Sequence, residues 1–248
     1  MQQRPRDTNT FSLADAVLWS PVAKNHRKDL GEGWLVAEEL ARLHLYGLQR
    51  ISRAAMPKPS EQEEAIITLG CLGLNLYVET LALTIQGLFD VASHLLRGLS
   101  DCQSLTFAAG SDEQLAKRFL KDKLKASQAR KAYVAYLRAA GEDELADKMN
   151  DRYKKEAGAA NSLAHVSTVH IGKIMEVGDD VITPVLLGRS DSRQCRLYWL
   201  AAVEPEHNLL TWLHAFRDTS LGSDWIEKFE DVTTRFRQWF ATEAKEAP

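Results

Sequence analysis

Two histidines stand five residues apart in NSLAHVSTVHIG, residues 161–172, among small and hydroxyl-bearing side chains. Histidine exchanges a proton near neutral pH more readily than any other ordinary side chain. His165 and His170 are therefore the first candidates for acid–base chemistry. On a helix, residues five apart point roughly 140° away from each other, which excludes the shared face of an i, i+4 zinc pair. His165 instead faces the same way as Asn161, and His170 lies near Ser167. The commoner role for such rings is structural, a hydrogen bond to a hydroxyl or carbonyl that fixes a helix end before Gly172.

A second polar constellation interrupts apolar sequence. Asp90, His94 and Arg97 form DxxxHxxR along one helical face, a stripe suited either to lining a cleft or to facing solvent. Upstream, Glu79 sits within AIITLGCLGLNLYVETLALTIQGLFD, residues 65–90. A carboxylate in a core requires a paired charge or several donors, which Arg97 or a histidine could supply. The expectation is a buried polar cluster of Glu79, Asp90, His94 and Ser167. No metal or cofactor is expected. The chain lacks the paired Glu-x-x-His motifs of carboxylate di-metal bundles. It has no CxxC, HExxH or GxSxG, and GEG at residues 31–33 is no phosphate-binding loop.

Residues 117–138 concentrate basic charge: Lys117, Arg118, Lys121, Lys123, Lys125, Arg130, Lys131 and Arg138 against a lone Asp122. Lys117, Lys121 and Lys125 share a helical face that could track a phosphate backbone, with Arg130 and Lys131 extending it. A solvated surface is the commoner meaning of such a run. Tyr133 and Tyr136 suit either base stacking or a core. The formal charge of -3 over 248 residues excludes a uniformly basic nucleic-acid coat, so polyanion binding has to be local.

The elements that would position these groups are helices. The first 32 residues read as irregular, and the first firm helix follows Gly33 and stops at MPKPS. Ser60 and Glu63 form a capping box that opens the long apolar helix, with a break near Gly87 and an end at Gly110. Ser111 and Gln114 read as another capping box. SDEQLAKRFLKDKLKASQARKAYVAYLRAAG is one bent helix or two, and EDELADKMNDRYKKEAG is a further polar one. Two apolar, partly β-branched runs within 181–203 suit a small β-hairpin, although a loop followed by a helix from about Gln194 suits them equally. Two amphipathic helices close the chain, the last with Trp225, Phe229, Phe236 and Phe240 on one side. The expected fold is all-α, a bundle of seven to nine helices spanning 1–248 as a single domain, with 176–248 as a candidate C-terminal subdomain.

Three scattered cysteines, Cys71, Cys102 and Cys195, fit a reducing compartment. The polar opening MQQRPRDTNT lacks a secretory core, so the expected location is cytoplasmic. Residues 65–90 are long enough to cross a bilayer, but Asn75 and Glu79 mid-run favour a central protein-buried helix, and no membrane is expected.

The order of DVASHLLRGLSDCQSLTF, then QLAKRFLKDKLKASQARKAY, then HVSTVH, then an aromatic C-terminal part resembles bacterial helical proteins allied to the HEPN superfamily, over about residues 75 to 175. The resemblance implies that Arg97, Ser167 and His170 converge at an RNA-cleaving or RNA-binding site, often in defence or toxin–antitoxin systems. The usual nuclease motif, an Arg shortly before the His on one helix, is missing. Ala159, Ala160 and Asn161 precede His165, and Ala164, His165 and Val166 precede His170. The resemblance therefore implies a non-catalytic protein that binds a protein partner or RNA, with a homodimer as one arrangement. The alternative is a metal-independent ribonuclease in which Arg97 neutralises phosphate and His165 or His170 moves the proton.

Overall fold

The chain is a helical bundle. The computed structural model describes residues 21–164, 175–177, 182–184 and 191–246. Nine helices lie among these described residues: α1 (Pro21–Leu30), α2 (Glu32–Ala55), α3 (Glu61–Ile85), α4 (Phe89–Ser111), α5 (Glu113–Leu120), α6 (Ala126–Ala139), α7 (Asp143–Ala164), α8 (Ser192–Leu221) and α9 (Ser223–Glu246). Two three-residue strands, β1 (Met175–Val177) and β2 (Ile182–Pro184), pair antiparallel between α7 and α8.

Local chemistry sets most boundaries. The Ser60 hydroxyl accepts from the Glu63 N–H at 3.2 Å while the Glu63 carboxylate accepts from the Ser60 N–H at 2.7 Å, so the expected capping box starts α3. Gly87, at φ 75, separates α3 from α4, since the left-handed region is open to glycine without steric cost. Three expectations need correction. The segment 1–32 is not irregular throughout, because α1 occupies Pro21–Leu30 and Gly31, at φ 49, turns it into α2. The cap of α5 is Asp112, whose carboxylate accepts from Gln114 and Leu115. Ser111 still belongs to α4 and bonds back to the Phe107 carbonyl. The hairpin ends at Pro184, and the second apolar run of 181–203 is the first third of α8.

Helix α8 continues through Pro205, whose carbonyl accepts from the buried Gln103 amide at 2.9 Å. One hydrophobic cluster runs from Ala23 to Trp239, and α8 and α9 are part of it. Trp34 and Trp199 stack at 5.6 Å, and the Trp199 indole donates to the Gly33 carbonyl. Trp225 donates to the Leu43 carbonyl across the α2–α9 contact. On α9 the inward stripe is Trp225, Phe229, Val232, Phe236 and Trp239, while Phe240 stands on the exposed side. Gly33 and Gly110 lie hard against the Trp239 and Trp212 rings.

Helix α3 is the most apolar element. Its length and a mean hydropathy of 1.7 would suffice to cross a membrane, yet only 39% of its most apolar window is buried. Its inward stripe is Ile66, Leu69, Gly73, Tyr77, Thr80 and Thr84. Thr68, Cys71, Leu72, Asn75 and Glu79 are exposed on the other side. Burial on most sides, as expected from composition, is thus not what the fold provides.

Candidate functional site

The basic segment folds into α5, a turn and the start of α6. Lys117, Lys121, Lys125 and Lys131 are exposed, as are Arg118 and Lys123. Lys117 lies 3.6 Å from Glu61. Arg118 organises the turn by donating to the Lys123 carbonyl and to Gln128. Asp122 holds the turn at φ 54, a conformation that aspartate tolerates better than most residues. The Gln128 side chain also accepts from the Lys125 N–H at 3.3 Å and opens α6.

Arg130 departs from its expected role. Its side chain is 17% exposed, pairs with Asp101, reaches Ser104 and lies 5.1 Å from the centre of the Tyr153 ring. It braces α6 and α7 against α4, leaving the lysines as the cation surface. Tyr133 is a core residue packed on Phe107 at 5.0 Å, and burial pushes its hydroxyl up from the ordinary tyrosine value. Tyr136 is half-buried beside it.

Among the described residues, the members of the expected buried cluster are not buried together. Glu79 and His94 are exposed and Asp90 is half-buried. The reason is helical phase: Glu79 lies opposite Tyr77 and Thr80, which face inward, so it keeps its hydration instead of seeking a partner. Arg97 is likewise exposed on α4. His165, Ser167 and His170 lie outside the described residues.

The buried carboxylate is a different one. Glu206 on α8 accepts from His44 Nδ1 on α2 at 2.5 Å, and both side chains are fully buried. His44 Nε2 and Glu206 Oε2 have no further hydrogen-bond partner among the described residues. Around the pair, Tyr77 donates to the Ala37 carbonyl at 3.2 Å and the Cys102 thiol donates to the Leu69 carbonyl at 3.0 Å. Burial first, and then the nearby Glu206 carboxylate, push the Cys102 thiol up to about 12 and raise the Tyr77 hydroxyl. Gly73 borders this packing, and a Cβ there would meet Cys102 Sγ at 3.4 Å and the His44 ring at 3.9 Å, ordinary van der Waals contact. A raised thiol is a poor nucleophile, so the cluster is chemically quiet. Sequence did carry a signal for it. His44 sits on the core stripe with Ala37, Leu40, Ala41 and Leu48, and Glu206 on the stripe with Val203, Leu209 and Leu210.

The single Glu-x-x-His run, Glu204 to His207, is split by the fold. Glu204 is exposed, whereas His207 is buried, stacks on Phe236 at 4.3 Å and hydrogen bonds Thr233. Burial and, secondarily, Arg237 depress its pKa to about 4. Among the described residues no group of three His, Cys, Asp or Glu is placed to hold a metal ion.

A cleft of about 620 Å³ opens between α2 and α9, lined by Glu39, Arg42, Tyr46, Glu227, Lys228 and Asp231 with two apolar side chains. Ion pairs staple its rim. Arg235 reaches Glu32 and Glu39 at 2.8 Å each, and the Tyr46 hydroxyl donates to Asp224 while accepting from Arg50. Comparison with family models, with curated proteins and with solved structures finds no match to this chain.

Proposed function

We propose that this protein works by binding, and that its ligand is a polyanion such as RNA held on the α5–α6 surface. One observation carries the reading: Lys117, Arg118, Lys121, Lys123, Lys125 and Lys131 are all exposed around one turn, with Asp122 the sole acidic residue between 117 and 131. The rest of the chain is acidic enough to bring the net charge to -3, so the cations form a local positive field. Neutralising phosphates there would release condensed counterions and make binding salt-dependent. The likeness to HEPN-like proteins supports the same ligand class and a setting in bacterial defence or toxin–antitoxin systems. Ribonuclease action is the second reading, supported by the accessibility of Arg97 to a phosphate.

The test is binding and cleavage of a mixed RNA pool by the purified chain at two salt concentrations. The expected result is binding that weakens with salt and no cleavage. Replacing Lys117, Lys121 and Lys125 by Glu should weaken it and reduce the salt slope by roughly two. Cleavage abolished by His170→Ala and Arg97→Ala would move the assignment to the nuclease. Absence of salt-dependent binding would overturn the polyanion reading.

A further inference from the structure

Among the described residues, the hairpin of α3 and α4 is covered over only half its outer side. The two helices run antiparallel, as three contacts placed in descending order show: Leu76 beside Gly98, Gly73 beside Cys102, and Gln62 bonded to the Gly110 carbonyl. Over the lower half of the seam lies α5, whose Ala116, Phe119 and Leu120 join the cluster of Ala65, Leu69, Cys102 and Ala109. Beyond α5 the same seam lies open among the described residues. There Leu72 is 49% and Val91 52% exposed, and Leu83, Leu95 and Leu76, the last beside Gly98, are half-buried. An apolar strip that one helix of the chain covers in part is suited to a further helical surface over the remainder.

We infer that this open half of the α3–α4 seam docks a second copy of the chain. Charge complementarity selects that occupant. Three residues up α3 from Leu76 stands Glu79; four residues up from Gly98, in the antiparallel sense, stands His94, with Arg97 less than a turn below. All three are exposed. A two-fold axis along the seam keeps every residue at its own height while laying α3 of one copy over α4 of the other. Glu79 of each copy then meets His94 and Arg97 of the other, twice over, as an isologous interface requires. Gly98, which carries no side chain beside Leu76, admits close approach at the centre. The inference is independent of the polyanion reading, since the α5–α6 lysines play no part in it.

The test is sedimentation equilibrium of the full chain across a concentration series. The native chain is expected to form a dimer. Leu72→Asp should weaken that association by about tenfold or more, with an unchanged far-ultraviolet spectrum because the side chain is exposed in the single chain. Glu79→Arg should weaken it as well, and adding His94→Glu with Arg97→Glu should restore it. A native chain that stays monomeric at every concentration, or a dimer that survives Leu72→Asp, overturns the inference. So does a charge-swapped triple variant that stays monomeric. RNA binding measured on the Leu72→Asp variant reports on the α5–α6 surface separately, so the two readings fail or stand apart.

Discussion

Replacing His44 by Leu should destabilise the protein strongly, although the change looks conservative in volume and adds an apolar residue to an apolar core. The carboxylate of Glu206 is fully buried, and His44 is its one hydrogen-bond partner among the described residues. Removing the ring leaves the acid buried without its hydrogen-bond partner. Breaking a buried pair from one side costs about 3–5 kcal/mol, whereas replacing both partners by apolar groups is roughly neutral or stabilising. At the size of this chain, about 2–4 °C is lost per kcal/mol, so the single variants should melt roughly 10 °C lower. The measurement is urea unfolding of the native chain, His44→Leu, Glu206→Leu and the double variant, with stability read from the midpoint at constant slope. The expected cycle has two severe single changes and a double that recovers most of the loss, the signature of strong coupling. Single variants within about 1 kcal/mol of native, or a double as unstable as the sum of the singles, would refute this account of the α2–α8 contact.

Two further outcomes follow from the packing. His207 has a native pKa depressed from the ordinary 6.5 to about 4, so the unfolded chain binds a proton that the folded chain rejects. Its contribution is present above pH 6.5, declines as pH falls through the window and is lost below about 4. The loss is on the order of 2 kcal/mol after solvent screening, and it should vanish from a stability–pH curve of His207→Phe. Gly110→Ala places a Cβ against the Trp212 ring and should cost about 1–3 kcal/mol by overpacking, read as a lowered urea midpoint; a midpoint at or above the native value would show that the ring has room to move.

Features written in contiguous residues were legible, and those decided by which surfaces meet were not. Ser60 with Glu63 foretold the start of α3, and Gly87 its end, because each works within a single turn of helix. Helix α8 defeated the same logic. Proline ordinarily interrupts a helix, yet α8 runs through Pro205, with Gln103, distant in sequence, donating to its carbonyl. Arg130 and Lys131 are neighbours in a basic run, but only the helical phase and the position of Asp101 separate a brace from a free cation.

The carboxylates make the same distinction more sharply. The apolar neighbours of Glu79 point it to the core, whereas Glu206 stands inconspicuously within VEPEHNLL. Average hydropathy reports how much apolar surface a helix carries, but not which side the rest of the chain fills. On α3 the apolar supply exceeds what the described residues cover, so Glu79 stays wet on the same side as the exposed Leu72. On α8 the acid falls on the inward stripe and has to find His44. Glu79 is therefore informative: a helix apolar enough to look fully buried, with a charged residue left in water, is a helix with a face that the described residues do not close.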